Sequence, residues 1–356
     1  MTQCHYAPPP PRLILAAMTR IGIIGLGFMG RVHYDTYTKV PGAQVAAVCD
    51  ADPKRAAGDL SDTWGNVDKG STRQLPMDRI RGTCDWRELL AAPEVDVIDI
   101  CLPTPTHVEV ATAALATGKH VLCEKPMART AADARRIAQA AASAKGLFMP
   151  AMCMRFWPEW EWLKRAIDEN RYGRVVSASF RRLGSLPVGW FRNGALSGGA
   201  LLDLHVHDTD FVYHLFGRPK SVFSRGAVGK SGEIDHVMTL YQYDATSGPA
   251  AVSAEGTWMA AEGFGFRMQY TVQFERATAE FDFGRKNTPL AVYAEGKTQP
   301  VEVANQDGYV GELTYFLDCV RAGKKPTRVT ANDAVASIEI VEAEKRSIES
   351  GRPVEL

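Results

Sequence analysis

Residues 21–30 read IGIIGLGFMG, an apolar run that passes at once into Gly-x-Gly-x-x-Gly. Few decapeptides restrict the fold of a chain so tightly. The run suits a strand buried on both faces. Gly25 then serves a tight turn, Gly27 lets backbone approach a bound group, and Gly30 lets the next helix pack close to the strand. A helix opening at Phe28 aims unpaired N–H groups and a positive dipole end at that turn, which favours an anion. The motif alone is weak. Asp50 strengthens it, because it ends a second apolar run, QVAAVCD (44–50), about 20 residues beyond Gly30, where an acid meets adenosine ribose hydroxyls. A glycine turn without a nucleotide is the bland alternative, and the agreement of position and acid disfavours it. The carboxylate would repel a 2′-phosphate and no Arg follows it directly, so NAD is favoured over NADP, with Arg55 as the residue that could alter the preference.

The chain continues in the same alternation. A helical stretch starts at Pro53, a polar Gly-containing loop or insertion fills 61–82, and WRELL (86–90) is helical. VDVIDICLP (95–103), HVLCEKP (120–126) and LFMPAMC (147–153) read as strands, with helices near 107–117 and 131–145 between them. Alternation of continuous apolar strands with helices predicts a Rossmann-type doubly wound parallel sheet over 19–150. After about residue 155 the texture changes. Helices are predicted at 158–169 and 199–216, and period-two runs at 174–183, 221–228, 236–243, 250–258, 266–275 and 278–283. These imply an α+β domain over 151–356 with an open, largely antiparallel sheet. Two amphipathic helices near 311–322 and 331–349 end the chain and could pack back on the first domain.

Composition excludes some classes. Lys plus Arg equals Asp plus Glu at 41 each, so no global field attracts nucleic acid or a membrane surface. The seven cysteines show neither CxxC nor metal-ligand spacing, and read as reduced thiols of a cytoplasmic protein. Residues 1–18, with Pro8 to Pro11, are expected to be a disordered extension, and Met18 could be the biological start. The uncovered face of the second sheet suggests burial between subunits, as a homodimer or homotetramer.

Two further segments carry chemistry. Cys123-Glu124-Lys125-Pro126 lies at the C-terminal end of a parallel strand, where open α/β sheets bind ligands. The other is GGALLDLHVHDTDFVYHLFG (198–217). With GLGFMG, Asp50, LPTPTH (102–107), EKP (124–126) and the terminal SGRPVEL (350–356), the chain from Arg20 to Leu356 resembles the glucose–fructose oxidoreductase / inositol dehydrogenase / rhizopine catabolism (Gfo/Idh/MocA) family. The resemblance implies that Lys125 is catalytic, contacting both nicotinamide ribose and substrate hydroxyl. It implies that Asp203 and His207 form a D-x-x-x-H pair whose histidine moves the proton. It gives the cofactor Gly25, Gly27, Phe28, Met29, Gly30 and Asp50, the loop Leu102, Pro103, Thr104, Thr106 and His107, and Glu124 with Lys125.

The residues themselves agree with this reading. On a continuous helix, Asp203 and His207 share a face, and a carboxylate beside an imidazole orients the ring and supports its protonated form. Arg155, Trp157, Trp190, Phe191 and Arg192 are candidates for the substrate wall, with domain packing as the competing explanation. His205 stands where the family often has Gly, which places it next to the site or against the partner domain. An HxH metal site at His205 and His207 is disfavoured, since residues two apart on a helix diverge, and no metal is expected. Asp208 and Asp210 read as helix or supporting charges, and His214 as structural. The function implied is NAD-dependent hydride transfer at a ring hydroxyl of a sugar, cyclitol or related polyol. A retained-NAD epimerase, lyase or glycosidase, a non-catalytic NAD-binding regulator, and a metal-dependent hydrolase are the alternatives.

Overall fold

The computed structural model describes residues 18–63, 72–244 and 248–356. The extension expected at 1–18 falls outside them save for Met18, as does part of the polar stretch 61–82. The first half comprises β1 (Thr19–Ile24), α1 (Phe28–Tyr37), β2 (Ala43–Cys49), α2 (Pro53–Ala56), β3 (Arg81–Thr83) and α3 (Trp86–Ala91). It continues with β4 (Val97–Ile100), α4 (His107–Ala116), β5 (His120–Glu124), α5 (Ala131–Ser143) and β6 (Phe148–Ala151). These six strands form one parallel sheet in the order β3-β2-β1-β4-β5-β6. The strand order reverses beside β1, so the carboxyl ends of β1 and β4 open a crevice there. Ile21, Ile23, Val97, Ile98 and Val121 are fully buried, because helices cover both faces.

The second half runs α6 (Pro158–Asp168), β7 (Val175–Leu183), α7 (Gly194–Ser197), α8 (Gly199–Asp203) and α9 (Val206–Phe216). There follow β8 (Ser221–Val228), β9 (Ile234–Gln242), β10 (Ala251–Thr257), β11 (Arg267–Phe274), β12 (Thr278–Asp282), β13 (Leu290–Ala294) and β14 (Lys297–Pro300). Helices α10 (Gly308–Ala322) and α11 (Ala331–Ser350) and a short β15 (Val354–Glu355) complete the chain. The nine strands form one sheet, β14-β13-β12-β11-β7-β10-β9-β8-β15. Every pair is antiparallel except β7 with β10. Trp160 of α6 lies at the centre of its covered face, fully buried, with its ring against Phe180, Phe211, Tyr270 and Phe281.

The C-terminal helices close the first core. Leu313, Phe316 and Leu317 of α10 and Ala334, Val335 and Ile338 of α11 belong to the same buried cluster as β1 and β4. Helix α11 starts at a capping box, in which the Thr330 hydroxyl accepts from the Asp333 N–H and the Asp333 carboxylate accepts from the Thr330 N–H. No helix among the described residues is long and apolar enough to cross a membrane.

One predicted element needs correction. The helix expected across 199–216 is two helices, because the N–H groups of both Leu204 and His205 turn to the Ala200 carbonyl, at 3.0 and 2.8 Å. The second bond spans five residues and widens the helix by a π-type turn, a distortion frequent at functional sites.

Candidate active site

The glycine turn owes its shape to contacts that admit no side chain. Gly25 adopts φ +95°, and a Cβ there would meet the Cys101 carbonyl at 2.5 Å. A Cβ on Gly30 would lie 1.8 Å from the Gly25 carbonyl, so turn and helix touch backbone to backbone. Gly27 differs, because nothing lies within 4 Å of where its Cβ would be. Its freedom is of use only to something that approaches from outside the chain, and a pyrophosphate at the first turn of α1 fits that space. We expect Gly27→Ala to leave stability within about 0.5 kcal/mol while weakening NAD binding at least tenfold in a fluorescence titration. Unchanged affinity would sink the assignment. Gly30→Ala must instead displace the turn and lower stability as well.

Asp50 is buried and its Oδ2 accepts from the Leu26 N–H at 2.7 Å, so it braces the turn that it was expected to serve. Arg55 is held by Asp62 at 2.7 Å, which ties up the one residue named above as able to alter the preference for NAD. Leu102 lies against Gly25, and Thr104 is buried in the short turn after Pro103, whose carbonyl accepts from the Thr106 hydroxyl. His107 requires correction. It is fully buried and does not line the cavity, and its ring nitrogens face the carbonyls of Pro126 (3.0 Å) and Leu102 (2.8 Å). It braces the two loops that carry the site. Burial lowers its pKa, and as a neutral ring it donates to one of those carbonyls only.

A cavity of about 510 Å³ opens beside the turn, and Phe28, Met29, Glu124, Lys125, Asp203 and His207 all line it. Lys125 Nζ donates to the Asp203 carbonyl at 2.9 Å and to its carboxylate at 3.3 Å. An ammonium has three N–H donors, so one remains for a substrate oxygen. Burial pushes the Asp203 carboxyl up, and Lys125 opposes the shift. Glu124 accepts from the Lys125 N–H at 2.8 Å and its other oxygen is 3.1 Å from His33 Nε2. His33 Nδ1 lies 2.8 Å from Asp99, which also accepts from Tyr37. Burial works against charge on His33, but Asp99 and Cys101 outweigh it and raise its pKa well above the usual value. The EKP motif thus rests on a buried network whose members are far apart in sequence.

The expected Asp203–His207 partnership is not formed. Asp203 pairs with Lys125, no hydrogen bond joins it to His207, and His207 Nδ1 has no hydrogen-bond partner. Burial, reinforced by the charges of Lys125 and Arg182, holds the His207 pKa well below its usual value. The ring is therefore neutral at physiological pH and fit to accept a proton, the reverse of a stabilised imidazolium. A reaction in which His207 accepts a proton should therefore keep its kcat/KM steady as pH falls through the ordinary histidine value of 6.5, with the acid limb below it. An apparent pKa at or above that value would contradict the assignment. The same shift withdraws stability below pH 6.5, where the unfolded chain binds a proton that the folded chain excludes.

Of the substrate residues expected from sequence, Trp157 and Phe191 line the cavity, and Arg155, Trp190, Arg192 and His205 do not. Arg155 is 3% exposed and bonds Asp210 through two nitrogens at 2.9 and 2.7 Å, so it joins α9 to the loop before α6. His205 is fully buried with Nε2 3.3 Å from the Tyr241 hydroxyl, facing β9 and α11, and its bulk fits because Gly256 leaves room. A Cβ on Gly256 would meet His205 Nδ1 at 2.9 Å. Since His207 lines the cavity and His205 faces away, the two rings do not converge. Trp190 and Arg192 do not line the cavity either, and Trp190 stacks on Phe191, which does. Sequence reasoning missed the wall formed by Leu186, Pro187, Trp258, Phe266 and Phe283. The only signal was aromatic and glycine density in irregular segments. The described residues also group His33, Asp99 and Cys101 at metal-ligand distances, but His33 and Cys101 already hydrogen-bond to Asp99 in full burial.

The chain matches the family model described as "Oxidoreductase family, NAD-binding Rossmann fold" over residues 19–152, and that of the "GFO/IDH/MocA C-terminal domain" over 160–280. It is 27% identical to the myo-inositol 2-dehydrogenase of Thermotoga maritima over 351 residues, covering 95% of this chain and 98% of that protein. It is 30% identical to inositol 2-dehydrogenase 2 of Saccharopolyspora erythraea over 346 residues, covering 94% and 95%. A solved levoglucosan dehydrogenase in complex with NADH and levoglucosan shares its fold, with a TM-score of 0.80 at 23% identity over 95% of this chain and 99% of that one.

Proposed function

The chain belongs to the GFO/IDH/MocA oxidoreductase family, and on that premise we propose that it oxidises a ring hydroxyl of a sugar, a cyclitol or a related polyol, with NAD as acceptor. The observation that carries this reading is the meeting of Lys125 and a neutral His207 in one cavity with the glycine-turn residues Phe28 and Met29. Bound NAD would supply the two-electron acceptor that turns the carbinol into a ketone. The protein's share is proton handling and orientation. Its Lys125, steadied by Asp203 and by the Glu124 contact to its N–H, directs a remaining N–H at the substrate oxygen and stabilises the developing alkoxide. His207 takes the hydroxyl proton, a task for which a depressed pKa leaves the ring in the right form.

Absorbance at 340 nm with NAD and a panel of ring alcohols tests the proposal. A substrate-dependent rise, lost in Lys125→Ala and His207→Ala, supports it. Product without net NADH would move the reading to an epimerase or lyase that retains its cofactor. The proposal extends to assembly as a homodimer or homotetramer through the open face of the nine-stranded sheet, where Met238 and Leu240 are more than half exposed. Light scattering that finds a monomer would refute that part. Buried free thiols at Cys49, Cys101, Cys123 and Cys153 support a reducing, cytoplasmic setting.

A further inference from the structure

Two consecutive arginines near the end of β7 take opposite faces of the sheet. Arg181 is exposed and pairs with Glu255 at 2.7 Å. Arg182 is on the covered face, in register with Gly256 of β10 and Met268 of β11, and lines the cavity although its side chain is only 4% exposed. An arginine so buried needs a counter-charge. Asp208 supplies it, accepting from Nε at 2.8 Å and from Nη2 at 3.2 Å. The fork leaves one nitrogen over. Among the described residues Nη1 has no hydrogen-bond partner, and it is not one of the polar atoms sealed away from solvent. Since Arg182 lines the cavity, that is the space left for Nη1 to face.

Several features suit this nitrogen to a substrate. The guanidinium is held at two points and stands 5.7 Å from the Trp160 ring, so binding costs it little further freedom. Its anchor, Asp208, follows His207 in α9, so one turn of helix fixes the proton acceptor and this donor relative to each other. Its charge is already balanced by Asp208, as that of Lys125 is by Asp203, so Nη1 calls for an oxygen and not for another anion. Tyr309, Trp157 and Trp258 line the same space and carry neutral donors, which can serve further hydroxyls. A donor on a charged group makes the stronger bond and discriminates more sharply.

Resting on the dehydrogenase reading above, we propose that Arg182 determines specificity: its Nη1 donates to an uncharged oxygen of the polyol, a hydroxyl or ring ether, other than the hydroxyl held by Lys125 and His207. It touches the substrate and takes no part in proton transfer.

Arg182→Lys tests this, because a lysine keeps the charge opposite Asp208 and near His207 while removing the spare nitrogen. The full-length variant is assayed for NADH formation with whichever of myo-inositol, D-glucose and D-xylose wild type oxidises best. We expect KM to rise about tenfold or more while kcat stays within about threefold and the acid limb of the pH profile keeps its place. An unchanged KM overturns the inference, as does a fall in kcat with a displaced acid limb, which would mean that Arg182 acts only through His207. Both results leave the dehydrogenase reading standing. If Arg182→Lys melts well below wild type, the pair Arg182→Gln with Asp208→Asn, which leaves no buried charge, must show the same rise in KM, and a wild-type KM there overturns it. If no probe yields NADH, the dehydrogenase reading falls, and thermal unfolding with NAD and myo-inositol decides the role of Arg182 separately. A rise in Tm for wild type that shrinks in Arg182→Lys supports the contact, and an equal rise, or none, overturns it.

Discussion

Replacing His207 by alanine is expected to lower kcat/KM by about 10²- to 10⁴-fold, the contribution typical of a positioned general base. The imidazole makes no hydrogen bond through Nδ1 that the fold would miss, and its ring lines the cavity. NAD affinity and the unfolding midpoint should therefore stay close to wild type, which separates a chemical role from a structural one. Steady-state NADH formation, paired with NAD titration by fluorescence and a thermal melt, makes the comparison. A loss below tenfold would remove His207 from the chemistry. Asp203→Asn is the informative companion. Because Asp203 holds Lys125 and not His207, its effect should appear in stabilisation of the alkoxide, and the acid limb of the pH profile should keep its position.

The second large effect falls on stability. Arg155→Ala removes one partner of an ion pair in which both side chains are almost fully buried, and leaves Asp210 with the Ser337 hydroxyl for company. Breaking such a pair costs about 3–5 kcal/mol, because a charge stays buried with its partner gone. Urea denaturation should show the loss as a lower midpoint. Turnover measured well below the transition should keep its KM, since Arg155 does not line the catalytic cavity. A raised KM with stability intact would restore the arginine to the substrate wall, where sequence reasoning had put it.

That misplacement shows where legibility ends. The glycine turn, Asp50 and the parallel sheet could be read in advance because each follows from local rules: period, turn geometry and spacing within one βαβ unit. Lys125 was legible for a related reason, since its place follows from the end of a single strand. The partners of these residues were not legible. The family resemblance joins Asp203 to His207 and an unbroken helix would agree with it, but two N–H groups competing for the Ala200 carbonyl undo that helical premise. Arg155 and His205 looked like site residues because polar side chains near a motif invite that reading. Their burial depends on Asp210, Tyr241 and Gly256, which sequence separation hides. Strand β14 escaped notice because all four of its residues are exposed, so it carries no alternation to detect. The cavity wall escaped because it is built from irregular segments, whose conformation is set by the sheet that they connect.

The return of α10 and α11 to the first core bears on how such a chain can change by descent. Seven buried apolar residues between Leu313 and Ile338 pack with the strands that begin near residue 19. A recombination event with its breakpoint near residue 150 would inherit a parallel sheet from one parent and the helices that seal it from another. Mismatched apolar surfaces would then meet across the join. Viable hybrids should instead carry two breakpoints, so that both ends of the gene travel together and the nine-stranded sheet is exchanged as an insert.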